Sequence, residues 1–78
     1  MDTKTKLQGI FRQVFDDDSI VIERATTADD IDGWDSLSHM NLIVAVEMGF
    51  SIRFNVKDVR ALKDVGDLID IIDKKLAG

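Results

Sequence analysis

A small all-α four-helix bundle, with three main helices, one short helix and a long first loop, is the fold this 78-residue sequence predicts. Three observations carry it. Apolar residues recur at helical spacing in three separate segments, no proline interrupts any of them, and the two short alternating stretches find no partner strand elsewhere. A chain of this length is expected to form one domain, residues 1–78, with a modest core and little room for an enclosed substrate pocket.

Residues 4–15 read as the first helix. Leu7, Ile10, Phe11 and Val14 fall at i, i+3, i+4 and i+7, with Lys4, Lys6, Gln8 and Arg12 on the other side. Asp16, Asp17 and Asp18 end it, since carboxylates are unfavourable at the negative end of a helix dipole. Residues 16–35 form a long connection. Ile20, Val21 and Ile22 read as a short strand, but nothing else in the chain offers a partner and a lone strand cannot satisfy its backbone. Ile20, Ile22 and Ile31 are instead expected to pin an ordered loop across the helices.

The second helix is expected over 36–49, capped by Asp35 and stopped by Gly49. Phe50, Ile52 and Phe54 anchor the next connection, and residues 56–61 have room for one short helical turn or two. Asp64 then caps a last helix over 65–76, with Asp67 three residues on as in a capping box. Val65, Leu68, Ile69, Ile72 and Leu76 form its inner stripe. Lys74 and Lys75 lie where the dipole favours them.

The charge balance narrows the partners. A net charge of −5 and a pI of about 4.6 disfavour nucleic acid and anionic membrane surfaces, and suit basic protein partners. No apolar run approaches a membrane span, and residues 1–4 lack a signal-peptide pattern. A free-standing, monomeric, cytoplasmic chain is the expectation. There is no cysteine and one histidine, so no metal centre is expected. Eight of the acids (Asp16, Asp17, Asp18, Glu23, Asp29, Asp30, Asp32, Asp35) crowd into residues 16–35. Divalent cations are therefore expected to stabilise the fold beyond the effect of ionic strength.

The second helix carries two apolar arcs. At 100° per residue Leu42, Ile43, Val46 and Phe50 share one arc, while Leu37, Met40, Val44 and Met48 share another, roughly opposite. One arc serves the core. The other is either covered by neighbouring helices or is a recognition stripe, and two flexible methionines favour recognition of several partners.

Ser36 stands where this helix begins. A serine nucleophile needs a base, and His39 with Asp35 could supply a Ser-His pair, but no Gly-rich elbow or oxyanion donors surround it. A histidine fixing Trp34 or the loop is the plainer reading. Asp35-Ser36 also reads as a simple capping pair. A third reading uses the free N–H groups and positive dipole end of the helix to support a phosphodiester on Ser36. Surrounding acids repel a free anion, so a covalent link is favoured over reversible binding.

Asp35-Ser36-Leu37, followed by an apolar helix and then Glu47-Met48-Gly49-Phe50-Ser51-Ile52, resembles the acyl carrier proteins. The likeness extends over helix lengths, the long first loop and the short third helix. It implies that Ser36 receives 4′-phosphopantetheine from coenzyme A through a separate Mg²⁺-dependent phosphopantetheinyl transferase. The protein itself would then catalyse nothing and would carry acyl thioesters between enzymes of fatty-acid, modified-lipid or polyketide biosynthesis. Partner enzymes, acyl-transferring or acyl-activating, would dock through basic and apolar surfaces against Asp35, Leu37, Met40, Asn41, Val44, Glu47 and Met48. Fatty-acid carriers usually have several glutamates along this helix, whereas here Ser38, Asn41 and Met48 face outward and Glu47 is the lone acid. Gly33-Trp34 and His39 resemble a variant seen among specialised carriers. The alternatives are an aminoacyl or peptidyl carrier loaded by an adenylating enzyme, and an unmodified helical interaction module.

Overall fold

The computed structural model describes residues 2–77. Four α-helices follow in order: α1 (Thr3–Val14), α2 (Ser36–Phe50), α3 (Val56–Arg60) and α4 (Val65–Ala77), with a 3₁₀ turn at Ala28–Asp30 in the long first loop. No strand occurs among the described residues, and no helix there is long and apolar enough to cross a membrane. α1 lies against both α2 and α4.

Each helix starts on a side-chain cap. Asp2 accepts from the Thr5 N–H at 2.7 Å and Asp35 from the Ser38 N–H at 2.9 Å. Asn55 and Asp58 exchange bonds reciprocally at the start of α3. Such caps satisfy N–H groups that have no partner within the helix. At α4 the expected reciprocal pair is shifted by one residue: Asp64 accepts from Asp67 N–H at 2.8 Å, but the Asp67 carboxylate reaches back to Lys63 N–H at 3.0 Å.

The core joins all three long helices and the loop. Leu7, Phe11, Ile22, Leu42, Val46, Leu68 and Ile72 are almost fully buried, and Ile20 and Ile31 are buried with them. The loop isoleucines thus act as the expected anchors. The polar side of α1 does more than face water. Gln8 accepts from the Ile22 N–H at 3.0 Å, Arg12 donates to the Ile20 carbonyl at 2.8 Å, and Lys4 pairs with Glu23 at 2.8 Å. These bonds take up loop backbone groups that a strand partner would otherwise have to satisfy. The loop then crosses to α4, where Val65 N–H and Gly66 N–H donate to Thr26 and Arg24 carbonyls, each at 2.8 Å.

Two sequence expectations fail. Gly49 does not stop α2. The helix runs through it to Phe50, and Ser51 takes the left-handed position (φ 56°) that ends it. Gly49 is instead a point of close approach, since a Cβ there would lie 2.7 Å from Ile10 Cδ1. Leu76 does not belong to the inner stripe of α4; it is half-exposed in the last turn, beyond Ile72.

Candidate functional site

The loop delivers the chain to α2 through an aromatic cluster. Trp34 packs edge-on to Phe11 with ring centroids 5.2 Å apart, and Phe15 touches both rings. Gly33, at φ 85°, makes the turn that turns Trp34 inward. Trp34 Nε1–H donates to His39 Nδ1 at 3.1 Å, and the two rings stack at 19°. The single histidine therefore locks Trp34 to the first turn of α2, as the plainer sequence reading held.

This bond also decides what His39 can do for Ser36. With Nδ1 accepting from the indole, the neutral ring carries its proton on Nε2. No basic nitrogen is left to activate a serine, and burial pushes the His39 pKa down from its ordinary value of 6.5. The Ser-His pair is not built.

Ser36 is exposed on the first residue of α2. Asp35, also exposed, holds the helix start. Hydrogen bonds from Ser38 keep its carboxyl below the usual range of 3.8. The expected set of free N–H groups at this helix start is thus partly taken, since the Asp35 carboxylate already binds the Ser38 N–H. A phosphate placed here would be held by its covalent bond and not by an empty anion cradle. The acids of the first loop do not gather into a cation site either. No group of three or more histidines and carboxylates among the described residues is arranged to hold a metal ion.

A groove of about 580 Å³ opens beside Ser36. Trp34, His39 and Met40 form one wall, and Leu62 and Leu68 the other. The far wall comes from the α3–α4 connection and α4, which no local pattern near Ser36 announces. Its one sequence signal is apolar residues flanking the Lys63-Asp64 cap.

Beyond Ser36, the second apolar arc of α2 faces outward. Leu37 is 75% exposed, Met40 53%, Val44 50% and Met48 78%, while Leu42, Ile43, Val46 and Phe50 are buried. Asn41 is exposed on the same helix. Glu47 differs from its expected place on a free surface. It is half-buried, and its carboxylate accepts from the Phe54 N–H at 2.8 Å, tying the α2–α3 connection back onto α2. With Val44, Met48 and Arg53 it borders a second, shallower groove of about 310 Å³ at the far end of the arc.

No family model matches the chain. The acyl carrier protein of Thermotoga maritima is 37% identical over 60 residues, which span 77% of this chain and 73% of that protein. The acyl carrier protein of Kineococcus radiotolerans is 40% identical over 57 residues, spanning 73% of this chain and 68% of that protein. The solution structure of holo acyl carrier protein from Geobacter metallireducens superposes with a TM-score of 0.92 at 61% identity, over 99% of this chain and 88% of that one. With these identities extending over most of both partners, and with the fold matched almost end to end, the chain belongs to the acyl carrier protein family.

Proposed function

We propose that Ser36 is the residue through which this carrier is loaded, receiving 4′-phosphopantetheine from coenzyme A by the action of a separate phosphopantetheinyl transferase. The observation that carries this reading is an exposed serine on the first residue of a capped helix, with an apolar groove opening beside it. The prosthetic group supplies a thiol for thioester formation, which a chain without cysteine cannot. The residues present fit it. Asp35 fixes the helix start through Ser38, so the Ser36 hydroxyl is offered at a defined place. Trp34, Met40, Leu62 and Leu68 give the attached arm and its cargo apolar surface to lie on. The chain contributes position and shelter, and the chemistry of acyl transfer belongs to its partners.

Those partners meet the outward arc of α2. Leu37, Met40, Val44 and Met48 supply apolar contact, with Asp35 and Asn41 at the Ser36 end. Glu47 serves partly as an internal clamp, so recognition of this helix is more apolar than charge-dominated. The net charge of −5 still favours partners with basic surfaces. A monomeric carrier working in the cytoplasm fits these features.

Incubation with coenzyme A, Mg²⁺ and a broad-specificity transferase should add one phosphopantetheine, read as an intact-mass shift that maps to Ser36. Ser36→Ala should abolish the addition while leaving the helical circular-dichroism signal unchanged. Modification at Ser38 or Ser51, or no modification at all, would overturn the assignment.

A further inference from the structure

The groove beside Ser36 has an uneven stock of hydrogen-bonding groups. Its two carboxylates are used within the chain, Asp35 by the Ser38 N–H and Asp64 by the Asp67 N–H. Two of its side-chain donors, on His39 and Lys63, are not. Trp34 fixes the His39 tautomer with the proton on Nε2, and Nε2 bonds no other group among the described residues. Among the described residues no side-chain nitrogen or oxygen is buried without a partner, so Nε2–H stands open on a residue that lines the groove. Lys63, on the same lining, forms none of the ion pairs among the described residues.

A plain alkyl chain laid along this groove would take water from the His39 N–H and give nothing back, a loss comparable to one unmade hydrogen bond. An oxygen at the right distance from Ser36 would restore it. We propose that His39 is a specificity-determining residue of the groove, its Nε2–H binding an oxygen acceptor tethered to Ser36. The acceptor is either a keto or hydroxyl oxygen on the acyl cargo or an amide carbonyl of the pantetheine arm. This rests on Ser36 being the attachment site. Lys63 adds a cation that favours the same electron-rich oxygens and opposes none of them.

The test uses the full chain unmodified and in four loaded forms: holo with a free thiol, and holo loaded with hexanoyl, 3-hydroxyhexanoyl or 3-oxohexanoyl groups. Intact mass first establishes loading at Ser36, and failure there would sink the attachment-site reading and not the groove chemistry. The ¹⁵N and proton shifts of His39 Nε2–H and the half-life of each thioester are then measured. With an oxygenated cargo as the acceptor, the Nε2–H resonance moves downfield in the 3-oxo and 3-hydroxy forms, and each of their thioesters outlasts the same thioester on His39→Phe by about fivefold, the worth of one neutral hydrogen bond, while hexanoyl does not change. With the arm as the acceptor, the shift is already present in the free-thiol form and the cargoes do not differ. His39→Gln, which can accept from Trp34 and still donate, should retain the effect on half-life that His39→Phe loses. Nε2–H shifts in all four loaded forms equal to those of the unmodified chain would overturn the proposal, whatever the variants do.

Discussion

Because His39 Nδ1 accepts the indole N–H of Trp34, protonating the imidazole sets two N–H groups against each other beside Ser36. Burial already holds the His39 pKa below 6.5 in the folded chain. The unfolded chain therefore binds the proton more readily, and stability must fall as pH drops through 6.5 toward the lower folded value. The carboxyls that depart from their ordinary value, Asp2, Asp17, Asp35 and Asp58, are all held below 3.8 by hydrogen bonds. Their contribution is lost at more acid pH and leaves the window from pH 7 to 5 to His39. Thermal melts across that window should show a falling Tm for the native sequence and a nearly flat one for His39→Gln; parallel slopes would place the pH dependence elsewhere. A second residue-scale effect lies at the other end of α2. Ser51 holds a left-handed conformation, φ 56°, that costs an ordinary residue about 1 kcal/mol relative to glycine. Ser51→Gly should raise the unfolding free energy by about that amount in urea titrations, with an unchanged m-value.

At the scale of the element, α2 is a helix asked to serve two surfaces. Leu42 and Val46 are fully buried while Met40 and Val44 are half-exposed, so truncation on the two arcs should have opposite signatures. Leu42→Ala and Val46→Ala should lower stability by about 1–4 kcal/mol, from lost transfer energy plus a cavity. Met40→Ala and Val44→Ala should melt close to the native sequence and yet slow modification by the transferase, at about 0.8 kcal/mol per methylene buried in the complex. If all four variants melt alike, the outward arc is core. Both arcs were legible in the sequence because helical period alone separates them, and the side chains on each then follow from geometry. The helix end was not. Glycine at position 49 reads as a stop, and what overrides that reading is Ile10, thirty-nine residues earlier, whose Cδ1 occupies the space of the missing Cβ. Glu47 reads as a surface acid for a similar reason. Nothing local shows that the Phe54 N–H will need its carboxylate. Ser36 and its helix start were legible because caps are local. The far wall of the groove, Leu62 and Leu68, was not, because the topology alone brings it there.

Over the whole molecule, a loop of some twenty residues is held in place without a strand of its own. Three buried isoleucines, the Gln8 and Arg12 bonds to its backbone, and its own carbonyls on the first turn of α4 hold it in place. The crowded acids work against this arrangement at a distance. Their charges are exposed, and apart from Glu23 with Lys4 the ion pairs of the described residues do not engage the loop's carboxylates. Repulsion among exposed charges is a diffuse effect that mobile ions screen within about 10 Å at 0.1 M salt. The sequence alone suggests a specific response to divalent cations, but no three ligands are gathered among the described residues to receive one. Tm should therefore rise as NaCl increases from near zero to about 0.2 M, as the added ions screen this repulsion. MgCl₂ at matched ionic strength should give the same rise to within a degree or two. A clearly larger gain with Mg²⁺ would mean that the loop can rearrange to chelate it, and that the arrangement of Asp29, Asp30 and Asp32 seen here is one of two states.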